Sequence, residues 1–350
     1  TNVNLPSYTG FDSFKTNLGT LRNSGFEVEG NLNLITNRKG FNWDFSFNAS
    51  YVRNKIIKLP YNGNENNRQG GSQVWDPEQG KVVWVGGYQE GQTMGDMYAY
   101  QQIKVLRDQN EVQQLAGDYK DLVAGLYGPN VSEADKKKYG LTKPIEEGDV
   151  LWADLNGDNI IDELDRVKVG NIYPKWTGGF STTLSYKNVS LYGRFDFAVG
   201  HTILNMVSMR SLGQSVGFKN IISDGLASWT EENRDTNIPK LYYDDSSNKK
   251  NFYRSTTGQD ITSSNNRSSL LYEKGDYLAL RELTLSWKLP SKWISKVHMT
   301  NASIYITGQN LFYITGYSGT SPEAPLVYPG VDTGRYPTPR TVLMGINVSF

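Results

Sequence analysis

The stretch "DLNGDNIIDELD" carries the sharpest chemical pattern in the chain. Asp154, Asn156, Asp158, the Ile160 carbonyl, Asp162 and Asp165 fall at positions 1, 3, 5, 7, 9 and 12 of an EF-hand-like loop. Hard oxygen donors at that alternation suit Ca²⁺. Two departures weaken the match. Position 6 is Asn159 rather than Gly, although Asn tolerates the left-handed backbone needed there, and position 12 is Asp165 rather than a bidentate Glu. The competing reading is an Asx-rich loop closed by its own side-chain hydrogen bonds. Little else in the sequence suggests a reactive centre. There are no cysteines, and the two histidines, His201 and His298, are far apart, so thiolate chemistry is excluded and His-based metal sites or triads are poorly supported.

Charge and hydropathy narrow the class. Lys+Arg and Asp+Glu are both 36, and a neutral chain is not a generic nucleic-acid binder. No apolar run approaches the length of a transmembrane helix, and the polar opening "TNVNLPSYTG" has no secretory-signal pattern. Aromatic content is 12% and Gly counts 35. Such a composition suits several all-β classes, among them membrane barrels, where apolar-out and polar-in residues average to a hydrophilic chain.

Periodicity separates these classes. Phe41, Trp43, Phe45, Phe47, Ala49 and Tyr51 alternate strictly with Asn42, Asp44, Ser46, Asn48 and Ser50. Just before them, Phe26, Val28, Gly30, Leu32 and Leu34 alternate with Glu27, Glu29, Asn31 and Asn33, and "TNRKG" makes the hairpin turn. A second hairpin turns at Lys187-Asn188, and further strands are predicted at 276–289, 302–312 and 340–350. Such strands exceed the usual five to six residues of globular sheets and match a membrane crossing. Short turns at 36–40 and 187–188 contrast with connections over 52–96 and 200–275, the asymmetry of a membrane barrel. Adding 96–106 and 148–154 as a down–up pair gives nine strands, with 340–350 running down to end the chain. An odd count leaves a free edge that cannot sit in lipid, so the reading is an all-β transmembrane antiparallel barrel present in part.

Several segments resemble one family. "YPGVDTGRYPTPRTVLMGINVSF", "ITGQNLFYITGYSGTSPE", "GDYLALRELTLSWKLP", "GDVLWADLNGDNIIDELDRVKVGNIYPKWTGGF" and the opening "LPSYTGFDSFKTNLGTLRNSGFEVEG" are similar to SusC/RagA-like TonB-dependent transporters of Bacteroidetes. The likeness is scattered over nearly the whole chain. It implies that residues 1–350 are the C-terminal part of a 22-stranded barrel, with the plug and N-terminal strands not included. It also implies partners: a SusD-like surface lipoprotein, TonB acting through the absent N-terminal part, and outer-membrane lipid. The cargo it implies is an oligosaccharide, with peptide as the alternative within the family. A passive porin and a soluble carbohydrate-binding β-sandwich or glycosidase are the rival readings.

Within that frame, Trp75, Trp84, Tyr88, Tyr242, Tyr243, Tyr253 and Tyr317 lie in predicted outer loops. They could stack on sugar, contact the lipoprotein or simply pack the loops. Glu27 and Glu29 face a polar interior by alternation, and nothing in their spacing indicates the close carboxylate pair of a hydrolase. The basic string at 132–140 reads as a solvated helical turn on a loop. Phe350, a terminal aromatic on the apolar strand face, resembles the signal read by the barrel-assembly machinery.

Overall fold

Seven long segments in which apolar and polar residues alternate become seven adjacent strands of one sheet in the computed structural model. They are β1 (Thr20–Ile35), β2 (Phe41–Lys58), β3 (Trp176–Tyr186), β4 (Val189–Val199), β5 (Tyr277–Lys288), β6 (Asn301–Thr315) and β7 (Thr341–Ser349). Each strand pairs antiparallel with its neighbour in chain order, as an uninterrupted meander. The structure describes all residues except 1, 5–9, 11–12, 16–18, 38–39, 209–222, 243–250, 252–267 and 324–329.

Register puts every apolar set on one face. Val28 stands opposite Ala49, which is opposite Gly178, which is opposite Phe197; further along the sheet Leu285 is opposite Ile306, which is opposite Met344. This face is the exposed one: Phe26 is 54% exposed, Met344 76% and Ile346 65%. A water-soluble sheet would bury such a face. Here it is a continuous band, with aromatic clusters toward both ends. Phe26, Tyr51 and Trp176 pack together near one end, with ring centroids 5.1–5.8 Å apart, and Phe41, Tyr186 and Trp287 lie near the other. From Tyr51 to Phe41 the strand covers about 33 Å at 3.3 Å per residue. Tilted as membrane strands are, that gives a height of about 25 Å, the apolar band of an outer-membrane barrel.

All short turns (36–40, 187–188 and 289–300) leave one end of the sheet, and all long excursions (59–175, 200–276 and 316–340) leave the other. The nine-strand expectation needs correcting here. Residues 96–106 and 148–154 stay out of the wall, and β2 pairs directly with β3. Gln102–Val105 instead pairs with Val150–Trp152, and Asp96–Tyr100 with Arg166–Asn171. Their apolar side chains are buried together: Tyr100, Leu106, Val150 and Trp152 share a core with Val112, Tyr119, Ile145 and Ile161. A lipid-facing strand exposes its apolar side, whereas these bury theirs in a small domain outside the wall. Removing an antiparallel pair leaves the alternation of direction among the other strands unchanged.

The three excursions meet in one outer layer. Tyr242 and Asn251 of the second donate to Asp149 of the first (2.5 and 3.4 Å). A parallel ladder sets Leu204 opposite Val331 of the third.

Candidate functional site

The sheet's inner face is built from the polar set: Asn31, Asn33, Asn42, Ser46, Asn48, Ser181, Thr183, Thr284 and Thr307 among others. Its charged centre comes from a break in alternation. Along β5, Leu278 and Leu280 share the lipid face with Leu283 and Leu285, so the phase slips by one residue at Arg281. The slip is a β-bulge, since Arg194 pairs with Glu282 and Phe195 with Leu280, leaving Arg281 without an opposite residue. Bulges re-aim a side chain, and this one turns a guanidinium inward. Arg281 donates through Nε and Nη2 to both carboxylate oxygens of Asp196, the Nη2 contact at 2.9 Å. It also donates to Glu323 of the third excursion, and its Nη1 donates to the Tyr313 hydroxyl at 3.0 Å. That hydroxyl in turn donates to Glu323 at 2.9 Å. One planar fork thus ties three wall strands to an outer loop, a geometry a Lys could not reproduce.

Beside this cluster, a groove of about 450 Å³ runs along the inner face, lined by Glu29, Asn31, Asn48, Ser181, Arg194 and Asp196 among others. Amides, hydroxyls and charges of both signs line it. It can hydrogen-bond a hydrated, hydroxyl-rich or amide-rich molecule, and it presents no pairing of nucleophile and base.

The outer aromatics fare unevenly. Trp75 and Trp84 share one face of the hairpin Ser72–Asp76/Lys81–Val85, since Trp75 opposes Val82 and Gln73 opposes Trp84. The Arg68 guanidinium covers the Trp84 ring at 3.5 Å, while Tyr88 is 50% exposed. Tyr242 and Tyr317 are corrected as stacking candidates. Tyr242 is partly buried and its hydroxyl donates to Asp149, and Tyr317 is buried with its hydroxyl donating to Asp332 at 2.7 Å. Tyr243 and Tyr253 lie outside the described residues. Sequence reasoning missed the Arg281 cluster, although "LALRELTL", where two charged residues interrupt the alternation, carried its signal.

In the loop 154–165, backbone N–H groups engage the carboxylates. Asp154 accepts from Gly157 and Asn159 (2.8 and 2.7 Å), Asp158 from Ile160, Asp162 from Leu164, and Asp165 from Leu155 and Asp162. Asn159 takes the left-handed conformation (φ 61°). Among the described residues no three His, Asp or Glu side chains converge as a metal shell requires. These bonds close the loop through its own side chains, in the manner of Asx turns. Burial is the main cause that raises the Asp165 carboxyl, to about 6, with Asp162 and Asp154 adding like-charge repulsion and two N–H bonds opposing the rise. An acid raised in the folded state favours folding below its unfolded pKa and loses that contribution as pH climbs through the folded value. The outer domain should therefore lose roughly 2–3 kcal/mol between about pH 4 and pH 6 on this account. Asp165→Asn should flatten that slope in pH-dependent chemical denaturation; an unchanged slope would remove Asp165 as its source.

These observations define a class first: the chain is a section of transmembrane β-barrel wall, carrying an outer layer of folded excursions. No family model matches the chain. TonB-dependent receptor P3 of Formosa agariphila is 30% identical over 356 residues, covering 99% of this chain and 30% of that protein. TonB-dependent receptor SusC of Bacteroides thetaiotaomicron is 24% identical over 361 residues, covering 99% of this chain and 28% of its own length. In fold, the chain matches a structure of the RagAB peptide transporter with TM-score 0.62 at 22% identity, over 99% of this chain and 31% of that one. Over nearly its whole length the chain is similar to SusC/RagA-like TonB-dependent transporters, and it spans about 30% of the length of the relatives it matches.

Proposed function

We propose that this chain is the C-terminal wall of an outer-membrane importer that takes up oligosaccharide fragments with a SusD-like surface lipoprotein and TonB. The carrying observation is the division of one seven-stranded sheet into an exposed apolar band and a polar inner face with a charged centre. The relatives named as TonB-dependent receptors support the coupling. The neutral amides and hydroxyls of Asn31, Ser46, Asn48 and Ser181 along the inner groove support a sugar cargo, since such groups exchange hydrogen bonds with hydroxyls without demanding a charge. Peptide is the second reading, favoured by the likeness to a peptide transporter. Uptake of labelled oligosaccharide and peptide pools by cells carrying the full-length protein separates the two. Oligosaccharide accumulation that stops when TonB is deleted is expected. Accumulation of peptide alone would overturn the cargo, and uptake indifferent to TonB would mark a passive porin.

Two further parts of this reading have their own tests. Phe350 follows β7 and is 81% exposed; its number parity with Val348 supports a place on the lipid side. As an assembly signal, its deletion should sharply reduce the folded, membrane-inserted fraction of the full-length protein; unchanged assembly would remove that role. Calcium at 154–165 is supported by the donor order from Asp154 to Asp165 and by the like-charge repulsion within the loop. A Ca²⁺-dependent rise in unfolding temperature, abolished by Asp158→Ala, is its expected sign. No rise would leave the loop to its hydrogen bonds.

A further inference from the structure

The connection between β5 and β6, residues 289–300, folds into a helix, Ser291–Ile294, continued by a 3₁₀ turn, Ser295–Val297. Its position relative to the wall is fixed by two tryptophans. Trp287 lies on the lipid-facing side of β5, opposite Val189 and Ile304. Trp293 packs edge-on against it, with ring centroids 5.9 Å apart at 88°. The helix is therefore folded against the outside of the wall at its rim, with Ile294 buried and Trp293 and Val297 exposed at 57% and 56%.

Charge follows the same line. Lys292 and Lys296, four residues apart and both exposed, flank the Trp293–Val297 pair, and Lys288 precedes them. Lys187 sits in the neighbouring turn, which the Lys288 N–H joins by donating to the Asn188 carbonyl at 2.8 Å. Neither 187–188 nor 289–300 contains an Asp or Glu, in a chain whose total charge is zero. Aromatic and aliphatic groups level with the edge of the apolar band, with lysines beside them, form the pattern of an interfacial amphipathic segment.

We infer that this rim is a binding site for anionic phospholipid, with Trp293 and Val297 seated at the acyl boundary and Lys292 and Lys296 holding headgroup phosphates. The inference rests on the barrel-wall reading, because the occupant follows from continuity with the lipid-facing band.

The test uses the full-length transporter in nanodiscs of neutral lipid doped with phosphatidylglycerol. Retained lipid is counted by native mass spectrometry, and depth is read from a nitroxide placed at position 297 or, on the wall, at position 285. Each lysine near an anionic surface contributes about 1 kcal/mol, so Lys292→Gln with Lys296→Gln should weaken retention of phosphatidylglycerol roughly 30-fold and leave neutral lipid unchanged. The label at 297 should report the headgroup boundary. Equal retention by wild type and variant would overturn the inference, as would a label at 297 in open water while the label at 285 is in lipid. Displacement of the lipid by inorganic phosphate would also overturn it, since the site would then be one for a free anion. A label at 285 in water would instead overturn the wall reading itself.

Discussion

Replacing Leu283 by arginine lowers the stability of the membrane-inserted protein by roughly 2–4 kcal/mol, the cost of a cation on the lipid face near the bilayer midplane. Leu283 stands between Gly193 and Gly308, about midway between the aromatic clusters at the two ends of the band. Neither neighbouring strand offers a side chain opposite it to shield a charge, and its apolar surface is exposed in the chain because lipid is its solvent. Arginine on the other face has a different fate. Thr183 is an inner-face residue directly opposite Asp44 and Tyr192, so Thr183→Arg meets a carboxylate in a hydrated interior and should change stability by less than about 1 kcal/mol. Denaturant unfolding of the reconstituted full-length protein measures both. Equal effects would mean that the two faces see the same solvent.

Arg281→Ala has the second largest expected effect. The substitution leaves Asp196 and Glu323 close together without the guanidinium between them, and it deprives Tyr313 of a donor. Breaking a buried ion pair costs roughly 3–5 kcal/mol. Both carboxylates are about a third exposed, at 35% and 33%, so water screens part of the repulsion and about 2–3 kcal/mol is expected. The loss has a local signature as well. Glu323 ties the third excursion to the wall, so amide exchange should rise in Tyr317–Glu323 more than in β4. Adding Asp196→Ala to Arg281→Ala should cost less than the sum of the two single changes, because the second removes a charge that the first left unpaired. Strict additivity would show that the cluster is not one unit.

How much of this the sequence carried depends on which solvent each strand faces. Phe41 to Tyr51 was legible because one parity is aromatic and the other polar over the full crossing, a pattern that fits one register only. Residues 96–106 and 148–154 misled for a physical reason. Alternation reports a two-sided environment without naming it, and Val150 and Trp152 turn toward a water-excluding core rather than lipid. The Arg281 cluster lay beyond a period-2 reading because the residue that matters is the one that breaks the period. Its partner Glu323 arrives from a loop whose path the strands do not dictate. Among the outer aromatics, composition could not distinguish Tyr317, locked to Asp332, from Tyr88, which is open to solvent.

The central claim is that one face of this sheet meets lipid and the other meets water. Single cysteines introduced in turn from Phe41 to Tyr51 of the full-length protein in membranes, labelled with a nitroxide and probed with oxygen and a water-soluble nickel complex, test it residue by residue. Positions 41, 43, 45, 47, 49 and 51 should favour oxygen, and positions 42, 44, 46, 48 and 50 should favour nickel, in strict alternation. Access of the nickel complex to both sets, or to neither, would contradict the account.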